Sequence, residues 1–202
     1  MPWSSHRAGA WSLSVAAALA AGGYGGVGER AGAYGAAEAR EPAVEEAAPD
    51  QGVLGDQRFA AFRNRAAGYA IELPELWTRR GSLDDVTFEH AGSLVRVIAA
   101  RSGSGLTIKR AWHELVQLSR SRRTSVVTGR PRRVTVNGLD AIRSRYSTLS
   151  PRDPLTGKRV TLEIDRYQIA GPGRVATVEL VGPRGLEDTG VRRRVIESFR
   201  WL

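Results

Sequence analysis

The chain contains no cysteine, one methionine, two lysines (Lys109 and Lys158) and three histidines. Without cysteine there are no disulfides, thiolate metal sites, cysteine nucleophile or lipidated lipoprotein cysteine. The redox compartment stays open, because a cysteine-free domain folds equally well on either side of a membrane. The histidines, His6, His90 and His113, form neither an HxxxH nor an HxH pair. A zinc site of protein ligands would therefore have to gather carboxylates from afar. No GxSxG elbow supports a serine hydrolase, although a triad is spatial and a dispersed one stays open. Asp84-Asp85 precedes an expected strand, and Glu187-Asp188 begins an expected helix, where negative charge offsets the dipole. Gly103-Ser104-Gly105 resembles an anion-cradling turn but lacks the lysine and second glycine of a P-loop. No catalytic, cofactor-binding or metal-binding residue is assigned. The expectation is a protein that binds and does not catalyse, with an envelope hydrolase of dispersed site as the alternative.

What is present is arginine, unevenly placed. Of 202 residues, the first 55 hold three arginines (Arg7, Arg30, Arg40) against six acids, a net of −3. The remainder holds 27 basic against 15 acidic residues, a net of +12. A basic domain behind a mildly acidic tail suggests an anionic partner. The near-absence of lysine, with much alanine and glycine, equally fits the codon bias of a GC-rich genome.

The N-terminal segment reads as an export signal. His6 and Arg7 form a thin positive region before the uncharged run Trp11 to Ala21. That run is too short to span a bilayer but suits a signal-peptide core. Ala18-Leu19-Ala20 and Ala31-Gly32-Ala33 offer small residues where a signal peptidase reads. Leu19-Ala20-Ala21 resembles the start of a lipobox, with Gly22 where the lipidated cysteine would stand. The expected organisation is a signal peptide over 1–21, a flexible Ala/Gly/Glu/Pro-rich linker over 22–55 and one domain over 56–202. The linker has too little apolar surface to offset its ordering entropy. The chain is then an exported protein, secreted or held in the bacterial cell envelope.

Within the domain, Tyr69 to Leu73 alternates and stops at Pro74, as a strand does. Val86 to Phe88 and Leu94 to Ile98 form two more strands around an Ala91-Gly92 turn. Ile108, Ala111, Trp112, Leu115 and Leu118 then recur at helical spacing, with Lys109, Arg110, His113, Glu114 and Gln117 on the other face. Thr107 is the expected N-cap. Strands return over Arg133 to Asn137, Leu139 to Leu149, Arg159 to Ala170 and Arg174 to Val181. A second helix follows from Glu187 to about Ser198, with Arg192 to Arg194 facing water. This order is α+β, with helices packed on an antiparallel sheet. Trp77, Trp112 and Trp201 fall in the apolar phase of their elements and are expected in or beside the core.

Several segments resemble the PsbP-like family. Gly68 to Trp77 (GYAIELPELW) resembles its opening strand, and Val86-Thr-Phe-Glu89 its next. The aromatic-centred helix Ile108 to Leu118 is similar to its central helix. Val134 to Ala141 around Gly138, followed by Arg143 to Tyr146, resembles its strand pair. Val195 to Leu202 (VIESFRWL) resembles its closing signature. The resemblance runs through most of residues 56–202. It implies a central antiparallel sheet sandwiched between helices. Family members include a photosystem extrinsic protein, a Ran-binding nuclear import factor, envelope lipoproteins of the LpqN type and chaperones for secreted effectors. They share a fold and a habit of binding, so what is implied is a binding or chaperone-like module without a catalytic site. The missing lipobox cysteine departs from the lipoprotein members.

The sharpest charged feature is Arg120, Arg122, Arg123, Arg130, Arg132 and Arg133, six arginines within 14 residues. They are the candidate anion-binding residues, expected to project from one edge of the fold between the first helix and the next strand. Such a cluster can grip phosphate, an anionic envelope polymer or lipid headgroups through peripheral membrane contact. A solvated helix end and loop would look the same. Nucleic acid is disfavoured: no aromatic interleaves with these arginines to stack on bases, and export separates the chain from it. The partner is otherwise an unidentified protein or anionic envelope component.

Overall fold

The computed structural model describes residues 57–102, 105–121, 124–185 and 189–202. The expected signal peptide and linker lie outside the described residues, as do Gly103, Ser104, Arg122, Arg123, Glu187 and Asp188.

The alternating segments form strands β1 (Phe59–Asn64), β2 (Tyr69–Pro74), β3 (Thr78–Gly81), β4 (Asp85–His90) and β5 (Ser93–Arg101). Helix α1 (Ile108–Ser121) follows, then β6 (Val126–Val136), β7 (Leu139–Leu149), β8 (Thr161–Gly171) and β9 (Arg174–Pro183). Helix α2 (Thr189–Glu197) and the short β10 (Arg200–Trp201) complete the order. The strands make a three-stranded sheet, β1-β2-β10, and a seven-stranded sheet, β3-β4-β5-β9-β8-β7-β6. Every pairing is antiparallel. The expected antiparallel α+β class is what the chain forms.

Side-chain alternation divides the large sheet into two faces. On one, Val95, Val97, Ile169, Ala176, Val178 and Leu180 join the main core with Tyr69 and Ile71 of β2 and Val191, Val195 and Ile196 of α2. On the other, Tyr146 and Ile164 pack beneath Leu115 of α1, with Leu118 and Val127 around them. Two tight hairpins set the register. Ala91-Gly92 has φ 45° and 81°, and Asn137-Gly138 has φ 46° and 76°. Paired positive φ values match the right-handed strand twist. Asn137 Nδ2 also donates to Phe199 O at 3.1 Å, tying the β6–β7 turn to the segment after α2.

Thr107 caps α1 as expected, its Oγ1 accepting from Arg110 N at 3.2 Å. Three expectations change. Trp112 is 40% exposed, because the buried line of α1 runs through Ala111 and Leu115 and leaves Trp112 on its flank. Glu114, placed on the polar face, instead meets the sheet and accepts from Gln168 Nε2 at 2.8 Å. Arg192 does not face water. Its side chain is 18% exposed, and its Nη1 lies 4.0 Å from Asp165 Oδ2.

Candidate functional site

The second half of the arginine run does not occupy a loop. β6 begins at Val126, seven residues before the expected start, so Arg130, Arg132 and Arg133 belong to the strand itself. That strand is the last of the seven and leaves one side unpaired within its sheet. Its register slips between Val127 and Gly129 and again between Gly129 and Arg132. Pro131 is buried within the second irregularity, while Arg130, Arg132 and Arg133 are exposed. A proline, bulges and charges on an edge strand blunt its tendency to pair with another chain. Edge protection alone is thus one reason for these residues.

The structure puts Arg130, Arg132 and Arg133 on one edge strand but not on one face. Arg132 pairs across with Arg143, and Arg133 with Ile142. Arg132 therefore shares the α2 side of the sheet, and Arg133 the α1 side. Arg120 is exposed in the last turn of α1. Among the described residues, no carboxylate pairs with Arg120, Arg130, Arg132 or Arg133.

On the α2 side, the cross-strand pairing adds residues the sequence reading missed. Arg143 Nε and Arg145 Nε both donate to Asp165 Oδ1, at 2.9 and 3.0 Å. The Arg143 guanidinium lies over the Tyr167 ring, 5.4 Å from its centroid. Burial pushes the Tyr167 hydroxyl above its usual range; Arg143, Arg145 and Arg132 pull against that, while Asp165 adds to it. Arg132 thus lies within the field of this cluster. The available signal was Arg143-x-Arg145 facing Asp165-x-Tyr167, two period-two pairs that place all four residues on one face.

His90 stands exposed at the end of β4, and His113 is exposed on α1, with Gln117 Nε2 at 3.5 Å from its Nε2. Neither has a serine or carboxylate as hydrogen-bond partner among the described residues, so no triad forms at either histidine. Among the described residues, no group of three or more His, Asp or Glu is arranged to hold a metal. Asp85 takes the Arg96 guanidinium in a two-point contact, with Nε at 2.6 Å, so its carboxylate is engaged in an ion pair. No helix among the described residues is long and apolar enough to cross a membrane.

No protein-family model matches the chain, and no curated protein matches it in sequence. Solved structures do match it in shape. Cyanobacterial PsbP (CyanoP) from Synechocystis sp. PCC 6803 aligns with a TM-score of 0.57 at 15% identity, over 75% of this chain and 96% of that one. LpqN of Mycobacterium tuberculosis, described as involved in cell envelope biogenesis, aligns at 0.47 and 11% identity, over 70% of this chain and 89% of that one. A protein of Bacteroides thetaiotaomicron aligns at 0.48 and 12% identity over 72% of this chain, which spans about half, 48%, of that protein. Identities this low speak to architecture and not to activity. On the CyanoP alignment and the antiparallel topology, the chain has the PsbP-like fold.

Proposed function

We propose that this chain is an exported, non-catalytic binding module of the bacterial cell envelope, with its helices and sheet arranged as the PsbP-like sandwich. It docks an anionic envelope component along the β6 edge. The observation that carries the reading is the exposed set Arg130, Arg132 and Arg133, which has no carboxylate partner among the described residues. Several other exposed arginines do have one, the cleft arginines described below excepted: Arg80 pairs with Glu89 at 2.7 Å, Arg184 with Glu163 at 2.9 Å and Arg193 with Glu197 at 3.2 Å. Cations left unneutralised favour an anion supplied from outside. The half-buried Arg143 and the exposed Arg145 extend the positive surface on the α2 side.

The experiment is a pull-down from host envelope extract at low and high salt. Wild type is compared with a variant carrying Arg120, Arg130, Arg132 and Arg133 changed to Ser. Electrostatic docking weakens steeply with salt. Capture at low salt, lost at high salt and in the variant, supports the reading. Identical partners for both proteins at both salts would sink it. Fractionation of the native host tests export: full-length chain found only in cytosol removes the envelope setting.

A further inference from the structure

The opposite end of the large sheet carries a second cationic surface, and this one is concave. The end of β1 and its turn to β2 face β3 and the β3–β4 turn across a cleft of about 480 Å³. Arg63, Arg65 and Arg79 line it, with Phe62 and Leu83, and no acidic residue does. All three arginines are exposed, and among the described residues none pairs with a carboxylate.

The cleft is preformed. Asn64 is buried, its Nδ2 donating to Leu83 O at 2.6 Å and its Oδ1 accepting from Ala67 N at 3.0 Å. One side chain thus latches the β1–β2 wall to the β3–β4 wall. Gly81, at φ 98°, lets the second wall turn tightly, since a Cβ there would fall 2.2 Å from Asp85 O. Phe62 is fixed edge-on against Phe88, with centroids 5.0 Å apart, and Arg79 lies over the Phe62 ring at 5.7 Å. Leu83 stands 65% exposed at the rim.

We infer that this cleft binds a phosphate group carrying an apolar substituent. The guanidinium groups of Arg65 and Arg79, with no carboxylate partner among the described residues, suit a phosphate, whose oxygens accept paired N–H donors. Arg63, paired with Ala70 and so alternating away from Phe62 and Asn64, adds its charge at the rim. The apolar part would lie against Phe62 and Leu83, burying a leucine that otherwise faces water. The inference does not rest on the β6 edge, because no residue is shared.

The test uses the full chain with three probes: hexyl phosphate, inorganic phosphate, and vesicles of phosphatidylglycerol beside vesicles of phosphatidylcholine. Hexyl phosphate should bind more tightly than inorganic phosphate and shift the backbone resonances of Arg63 to Ala66 and Gly81 to Leu83. Changing Arg63, Arg65 and Arg79 together to Ser should weaken it by about tenfold or more, the effect of losing charge-assisted contacts. Changing Arg184 and Arg193, exposed arginines outside both surfaces, to Ser should leave it unchanged. If phosphatidylglycerol vesicles also bind and lose binding in the cleft variant, the phosphate is a lipid headgroup. If only hexyl phosphate binds, it is a soluble ester. Absence of hexyl phosphate binding to wild type, resonance shifts confined to other regions, or equal binding by the cleft variant would each overturn the inference. The resonance shifts are read on wild type, so a variant that misfolds does not blunt the test.

Discussion

The Tyr146 hydroxyl donates to Glu179 Oε1 at 3.0 Å on the sheet face that α1 covers. Arg166 Nη1 reaches the same oxygen at 3.2 Å, and its Nη2 reaches Glu114 Oε2 of α1 at 3.2 Å. The Glu179 side chain is 7% exposed, so its charge depends on these neighbours more than on water. Arg166→Met keeps most of the stem and removes the cation. It should destabilise the fold by roughly 3 kcal/mol, the scale for stripping the partner from a buried charge. Tyr146→Phe removes one donor and should cost about 1 kcal/mol. Urea denaturation of both variants checks the order, and Arg166→Met costing no more than Tyr146→Phe would refute it.

Phe199 is fully buried, stacked on Tyr69 with ring centroids 5.8 Å apart and edge-on to Trp201 at 5.3 Å. Its removal empties the junction between the small sheet, α2 and the large sheet. Phe199→Ala should cost about 3–5 kcal/mol. Trp112→Ala, at a 40% exposed position of α1, should cost less than half as much. Thermal unfolding of the pair decides; equal losses would mean that Trp112 belongs to the core after all.

The sequence conveyed those parts of the fold in which apolar period and structure coincide. β7 runs from Leu139 to Leu149, the expected bounds, because the Asn137-Gly138 turn marks its start and Ser150-Pro151 its end. β3 was invisible: Thr78 to Gly81 are all exposed and carry no apolar residue to betray a period. β1 was missed because Phe59 and Phe62 are spaced by three, a helical interval, while the backbone is extended. The arginines misled in a different way. Their clustering is linear, but pleating sends Arg132 and Arg133 to opposite faces, and the residues that join Arg132 come from β7 and β8. Likewise the Arg63, Arg65 and Arg79 cleft needs two hairpins from different sheets, a proximity no local pattern encodes.

Two glycines separate backbone conformation from space. A Cβ added at Gly138 or at Gly129 would meet nothing within 4 Å, but only Gly138 has a positive φ, 76°. Gly138→Ala should therefore cost about 1–2 kcal/mol, the strain of holding an L-residue left-handed. Gly129→Ala should be neutral or slightly stabilising, since it narrows the unfolded ensemble. Equal destabilisation in chemical denaturation would show that the β6 irregularity, and not the turn, is the sensitive element.

Asp153 organises the β7–β8 connection. Its Oδ1 accepts from Leu155 N at 3.0 Å, Thr156 N at 2.7 Å and Thr156 Oγ1 at 2.9 Å. The Thr156 amide, then the Thr156 hydroxyl and the Leu155 amide, hold its carboxyl below the ordinary 3.8. Because the folded value is the depressed one, the bonds are fully formed above the ordinary value and are released as pH falls through the folded value beneath it. The group is exposed, so the consequence is local order in the turn. The amide resonances of Leu155 and Thr156 should titrate together with a midpoint below 3.8. Thr156→Val removes the hydroxyl donor and should move that midpoint upward, while Asp153→Asn should abolish the titration and keep an acceptor oxygen in place. A midpoint at or above the ordinary carboxylate value in wild type would mean that these three bonds do not favour the ionised form.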